Sequence, residues 1–176
     1  MANFYPYLVA SLPMLHFSMK PPFSSEQFLE LCRPLIPEKD GQVLRSLPLP
    51  EDYGKKGIRL PVIRQWIAFD TALRNELVKM RAARKHLEPK MYLRSWDFTG
   101  SLSLPAGIAA ILNASLLDAE KALDETRWKT LDELATGHYF DLDFLISYAL
   151  KLRILERWEK IQGAEGTVLL HQALQG

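Results

Sequence analysis

The sequence predicts an all-α protein: a single-domain helical bundle with two long helices, preceded by a proline-rich region of short helices and turns. Three observations carry this. Nine of the eleven prolines lie between Pro6 and Pro61 and none follows Pro105, so long helices are excluded early and permitted later. Apolar residues recur every three or four positions over Pro61–Leu87 and again over Leu142–Gln162, the period of a helix that buries one face. Composition completes the case: 48% apolar residues in 176 with one cysteine support a core that needs neither disulfide nor metal. Residues 1–60 are expected as short helices and turns, and residues 61–176 as the main helical core of one domain.

In the first region, Tyr5–Leu12 alternates like a strand at Tyr7 and Val9, yet Asn3 and Pro6 can open a helix; helix is the expectation. Ser24-Ser25-Glu26-Gln27 fits a capping box, with the Ser24 hydroxyl accepting a backbone N–H and Gln27 reaching back. The helix it opens should end near Cys32, before Pro34. Pro61 suits a first helical turn, and Ile63, Trp66, Ile67, Leu73, Leu77 and Met80 form the stripe of a helix roughly 40 Å long at 1.5 Å per residue. Arg81, Arg84, Lys85 and His86 gather positive charge at its carbonyl end, where the macrodipole favours it, and Pro89 supports a stop.

Ser101–Pro105 reads as a connection into a small-residue helix at Ala106–Asn113, and Leu116–Arg127 as a charged helix with a narrow apolar side at Leu116, Ala119 and Leu123. Thr130-Leu131-Asp132-Glu133 repeats the capping-box pattern, so a separate short helix is expected there, closed by Gly137 at positive φ. Asp141 is expected to cap the last long helix, in which Phe144, Leu145, Tyr148, Leu152, Leu155, Trp158 and Ile161 make a broad apolar surface. Gly163 is its expected end, with a further short helix over Thr167–Gln175.

Charge and motif patterns exclude more than they assign. Residues 51–100 carry 11 basic and 6 acidic side chains, residues 101–176 carry 7 and 11, and helices packed together can pair such charges internally. His16, His86, His138 and His171 are scattered without metal-ligand spacing. Gly163-Ala164-Glu165-Gly166 lacks the Lys-Ser/Thr of a phosphate loop. Lone Cys32 lies on an apolar helix and reads as a small buried residue. No catalytic residue, cofactor or metal site is therefore expected. Without the basic flank of a secretory signal, and with no run of about 20 apolar residues, the chain is expected to be cytoplasmic and not inserted in a membrane.

Two groups of residues stand out. Asp70, Arg74 and Asn75 lie mid-helix where helix preference gives no reason for them, and they are expected to form a structural polar network with His138, Tyr139 and Asp141 of the Gly137–Asp141 corner. Tyr5, Tyr7, Tyr92, Arg94 and Trp96 are the candidate interface residues, since partner surfaces favour Tyr, Trp and Arg. Two alternatives remain open on residues alone: a cytosolic enzyme with a pocket built from Asp70, Arg74 and His138, or a nucleic-acid adaptor using Arg81–Trp96. The second is opposed by a pI of 7.8, below the basic balance of most nucleic-acid binders, so no nucleic acid is expected.

The ordered set Tyr7–Pro13, Phe23–Glu26, Phe69–Leu77, Gly137–Asp141, Tyr148–Leu152 and Leu155–Trp158 resembles an uncharacterised family of small proteins encoded beside bacterial V/A-type ATPase genes. That family in turn looks like a shortened relative of the all-helical socket subunit, C in bacterial and archaeal V/A-ATPases and d in eukaryotic ones, which joins central stalk to membrane ring. The resemblance implies a noncatalytic subunit or assembly factor, with stalk or ring subunits as partners, held peripherally at the cytoplasmic membrane through them. No catalytic or cofactor residue is transferred by it.

Overall fold

The computed structural model describes residues 3–54, 57, 59–94 and 116–174, with side chains defined at 117–164 of the last span. The protein is all-α, and no strand occurs among the described residues. The α-helices are α1 (Pro6–Ser11), α2 (Ser25–Cys32), α3 (Glu38–Arg45), α4 (Pro61–Arg84), α5 (Leu116–Leu134) and α6 (Leu142–Leu174), with single 3-10 turns at Pro50–Asp52 and Pro89–Tyr92. They pack as two compact units: Met1–Leu47 with Ala135–Gly176, and Pro48–Leu134 between them in sequence.

In the first unit, α1, α2 and α3 run only 6, 8 and 8 residues, as the proline spacing requires. Helices this short are marginal alone and depend on packing. Here α2 and α3 pack against α6 and against each other. Ser24 and Gln27 form the expected capping box, satisfying two end donors. Phe28 stacks on Tyr148 at 5.3 Å between ring centroids, and Leu8, Cys32, Leu44, Leu145, Ile146, Leu152 and Leu155 are buried with it. Polar ties fix the short segments to α6: the Ser25 N–H and hydroxyl both donate to Glu156, the N–H at 2.7 Å, the Tyr148 hydroxyl donates to Pro13 O at 2.9 Å, and Arg153 Nη1 donates to Leu47 O at 3.1 Å.

α6 opens where expected, its first turn capped by Asp141, whose Oδ1 accepts from Phe144 N–H at 3.1 Å; Gly137 before it takes φ +86°. The expected end at Gly163 is not taken, because α6 runs on to Leu174 as one helix. A helical glycine costs about 1 kcal/mol relative to alanine, too little to stop a helix when no proline follows.

In the second unit, α4 packs against α5 and against the Pro89–Tyr92 turn. Val62, Ile63, Trp66, Ile67, Phe69, Leu73 and Leu77 of α4 and Ala119, Leu123, Trp128 and Leu131 of α5 are buried. α4 ends at Arg84 in a Schellman motif: His86 N–H donates to Ala83 O at 3.3 Å and Leu87 N–H to Ala82 O at 2.9 Å, with His86 at φ 53° in the left-handed position usually given to glycine. The chain then turns back along α4, where Asn75 receives the Arg94 N–H at 3.0 Å and donates to Arg94 O at 2.8 Å. The separate helix expected at Thr130 is absent, since α5 is continuous through that point and the Thr130 hydroxyl donates back to Thr126 O. The Ala106–Asn113 helix lies outside the described residues.

Candidate functional site

Two arrangements of chemistry-bearing residues emerge, one in each unit. In the second unit Asp70 sits on the α4 stripe itself, one turn from Trp66, Ile67 and Leu73, and its side chain is 2% exposed. An isolated carboxylate there would cost several kcal/mol. It is charged because donors surround it. Arg127 Nε of α5 meets Oδ1 at 2.8 Å, Arg74 Nε meets Oδ2 at 2.7 Å, and the buried Tyr53 hydroxyl donates to Oδ2 at 3.1 Å. Arg127 in turn reaches Asp124 Oδ1 through Nη1 at 2.8 Å.

The electrostatics follow from that geometry. Burial alone would raise the Asp70 pKa, but the guanidiniums of Arg127 and Arg74, with their hydrogen bonds, hold it below the ordinary carboxylate value. Burial would likewise pull Arg127 down, and the Asp70 and Asp124 carboxylates keep it above its usual value. For Tyr53, burial first and then the Asp70 charge push the phenol up. Each group is thus locked in one protonation state near neutrality. With two acids against two arginines the cluster is formally neutral, and Asp70 has its acceptor sites engaged by three donors, which suits it to cross-linking α4 and α5 rather than to accepting a proton.

Of the residues expected in one polar network, Asp70 and Arg74 are joined, while Asn75 is engaged with the Arg94 backbone as described above. The corner residues have partners of their own in the other unit. His138 Nδ1 lies 2.6 Å from Asp141 Oδ2 and 3.7 Å from Asp143 Oδ2. The hydrogen bond that His138 donates to Asp141 raises the His138 pKa; burial opposes it, and the charges of Asp141 and Asp143 add to the rise. Tyr139 is 65% exposed and, among the described residues, takes no part in a polar network. Tyr53, Asp124 and Arg127 were missing from the expected set. A signal for Arg127 exists in the sequence: it stands four residues after Leu123 and four before Leu131, in register with the apolar side of α5.

The interface candidates also divide. Tyr5 is buried, not superficial: its hydroxyl donates to Asp40 on α3, and burial followed by that hydrogen bond pushes its pKa up to about 12. Tyr7 and Tyr92 are exposed. Arg94 is exposed too, with Nη1 on Pro50 O at 2.8 Å, and Trp96 lies outside the described residues. The residues that reasoning from sequence overlooked are Phe4 and Phe140. The Tyr5 N–H donates to Phe140 O, which ties the chain start to the corner before α6. Phe4, Tyr7, Tyr139 and Phe140 are all exposed around this tie, four large aromatics on backbone fixed by α1, by the Gly137 turn and by the His138–Asp141 pair.

Among the described residues no group of three or more His, Cys, Asp or Glu side chains could hold a metal ion, and no helix is long and apolar enough to cross a membrane. Cys32 is buried, and burial pushes its thiol up to about 12. The fold and these sites define an all-helical protein with a saturated charge cluster in one unit and an exposed aromatic corner in the other. A family model described as a protein of unknown function (DUF2764) matches residues 94–175, just under half of the chain, starting in the second unit and ending in the first. No curated protein and no solved structure matches.

Proposed function

We propose that this chain is a noncatalytic accessory subunit or assembly factor of a rotary V/A-type ATPase, acting by docking onto stalk or membrane-ring subunits. The observation that carries the docking role is the aromatic corner of Phe4, Tyr7, Tyr139 and Phe140. Exposed aromatic side chains on rigid backbone lose little entropy on binding and dominate the energetics of partner surfaces. The ordered motif resemblance supplies the class of partner. The charge cluster supports the same reading from the other side, since its groups are matched to one another and leave Asp70 without the free acceptor a general base requires.

The test is recovery of the tagged full-length chain from gently solubilised native membranes. Rotary ATPase subunits are expected with it, and Tyr7→Ser combined with Tyr139→Ser should reduce their yield at least tenfold, two anchors of about 1 kcal/mol or more each. Reproducible recovery of the chain alone, together with an ATPase that assembles and stays coupled after deletion, would refute the proposal.

A further inference from the structure

The second unit carries a surface that the docking role leaves unused. Between Leu77 and Arg94 the sequence has six Lys and Arg residues and a single acid, Glu88. Lys79 pairs with Glu76 and Arg94 is spent on Pro50 O. Arg81, Arg84, Lys85 and Lys90 are exposed and make no ion pair among the described residues. The macrodipole accounts for cations in the last turn of α4. It does not account for Lys90, which lies beyond the helix, nor for the side chains set among these charges: Leu87 at 50%, Met91 at 85% and Tyr92 at 60% exposure.

Geometry gathers these residues at one end of the unit. The Schellman motif at His86 reverses the chain, and the two-bond clamp of Asn75 on Arg94 holds the returning segment against α4. The segment bearing Lys90, Met91 and Tyr92 therefore packs back against α4 just beyond its basic last turn, instead of trailing into solvent.

We propose that this end of the second unit is a membrane-surface contact that binds an anionic lipid leaflet directly. The four exposed cations supply the attraction to acidic headgroups, and Leu87 and Met91 supply apolar area that is dehydrated on reaching the acyl boundary, with Tyr92 suited to the headgroup level. A single-stranded nucleic acid would call for several planar rings on which bases stack; the exposed apolar residues here are mainly aliphatic. The inference goes beyond the docking role and stands without it, because it uses a different unit and needs no protein partner.

The test is co-sedimentation of the purified full-length chain with phosphatidylcholine vesicles, with and without about a third phosphatidylglycerol. Binding is expected only to the anionic vesicles and should fall as salt rises. Arg84→Gln with Lys90→Gln should weaken it about 25-fold, roughly fivefold per cation, and Met91→Ser about tenfold. All three positions are exposed, and unchanged far-ultraviolet circular dichroism confirms the fold of each variant. Equal binding to neutral and anionic vesicles, or full binding by the double variant, would overturn the proposal. So would capture by a single-stranded oligonucleotide or by polyglutamate with no binding to vesicles, which would reassign the surface to nucleic acid or to an acidic protein segment.

Discussion

Replacing Arg127 by methionine keeps most of the side-chain volume and removes the charge that joins α5 to α4. In the native protein two carboxylates and two guanidiniums balance. The variant leaves Asp70 with Arg74 and Tyr53 alone and takes from Asp124 a contact of 2.8 Å. Both carboxylates are 2% exposed, so water does not replace the missing partner without opening the structure. Breaking a buried ionic pair from one side costs about 3–5 kcal/mol, a large share of the roughly 5–15 kcal/mol by which a domain is stable. The assay is urea unfolding followed by circular dichroism, which reads the loss directly, with a parallel thermal melt whose midpoint should drop by about 10 °C, at 2–4 °C per kcal/mol for a chain of this size. A double-mutant cycle isolates the pair: Asp124→Asn with Arg127→Met should lose less than the two single losses added, by about 1 kcal/mol or more. If Arg127→Met unfolds within about 1 kcal/mol of the parent, below the 3–5 kcal/mol expected, the cluster is not what holds α5 on α4 and the reasoning fails.

The depressed Asp70 pKa adds stability above the unfolded carboxylate value of about 4, lost as pH falls through the lower folded value; acid unfolding of Asp70→Asn should show a shallower dependence in that window. His138 behaves in the opposite sense. Its raised pKa gives a contribution complete below about 6.5 and lost as pH rises through the folded value, so proton NMR should place its midpoint above 6.5, and Asp141→Asn should bring it down. His86→Gly removes a left-handed non-glycine residue and should stabilise the chain by about 1 kcal/mol in the same urea assay, whereas His86→Val should destabilise it. Cys32 should resist a thiol reagent in the native protein and react on unfolding, its buried thiol being pushed up to about 12.

Local chemistry in this chain is legible where one turn of backbone decides it. Ser24 and Gln27 cap α2, Gly137 takes positive φ and Asp141 caps α6, because each needs only neighbours within three residues. The same pattern misleads at Thr130, where the helix is already under way and the hydroxyl turns back to Thr126; a capping box stabilises a free helix start and does not create one. Long-range partners were not legible. Tyr5 finds Asp40 across 35 residues and Arg127 finds Asp70 across 57, separations with no periodicity to announce them. Asp70 itself could be singled out, since a carboxylate within an apolar stripe must be paired. The identity of its partner required the fold.

The order of the two units along the chain has a consequence for how the protein is made. All of Pro48–Leu134 leaves the ribosome before Ala135, whereas the segment ending at Leu47 needs α6, synthesised after that whole unit, to cover it. The middle unit is thus able to fold during translation, and the N-terminal helices, too short to persist alone, must wait with Phe28, Cys32 and Leu44 uncovered until the C-terminal segment emerges. Loss of α6 would therefore strike α2 and α3 hardest, leaving them as the part most open to proteases and chaperones.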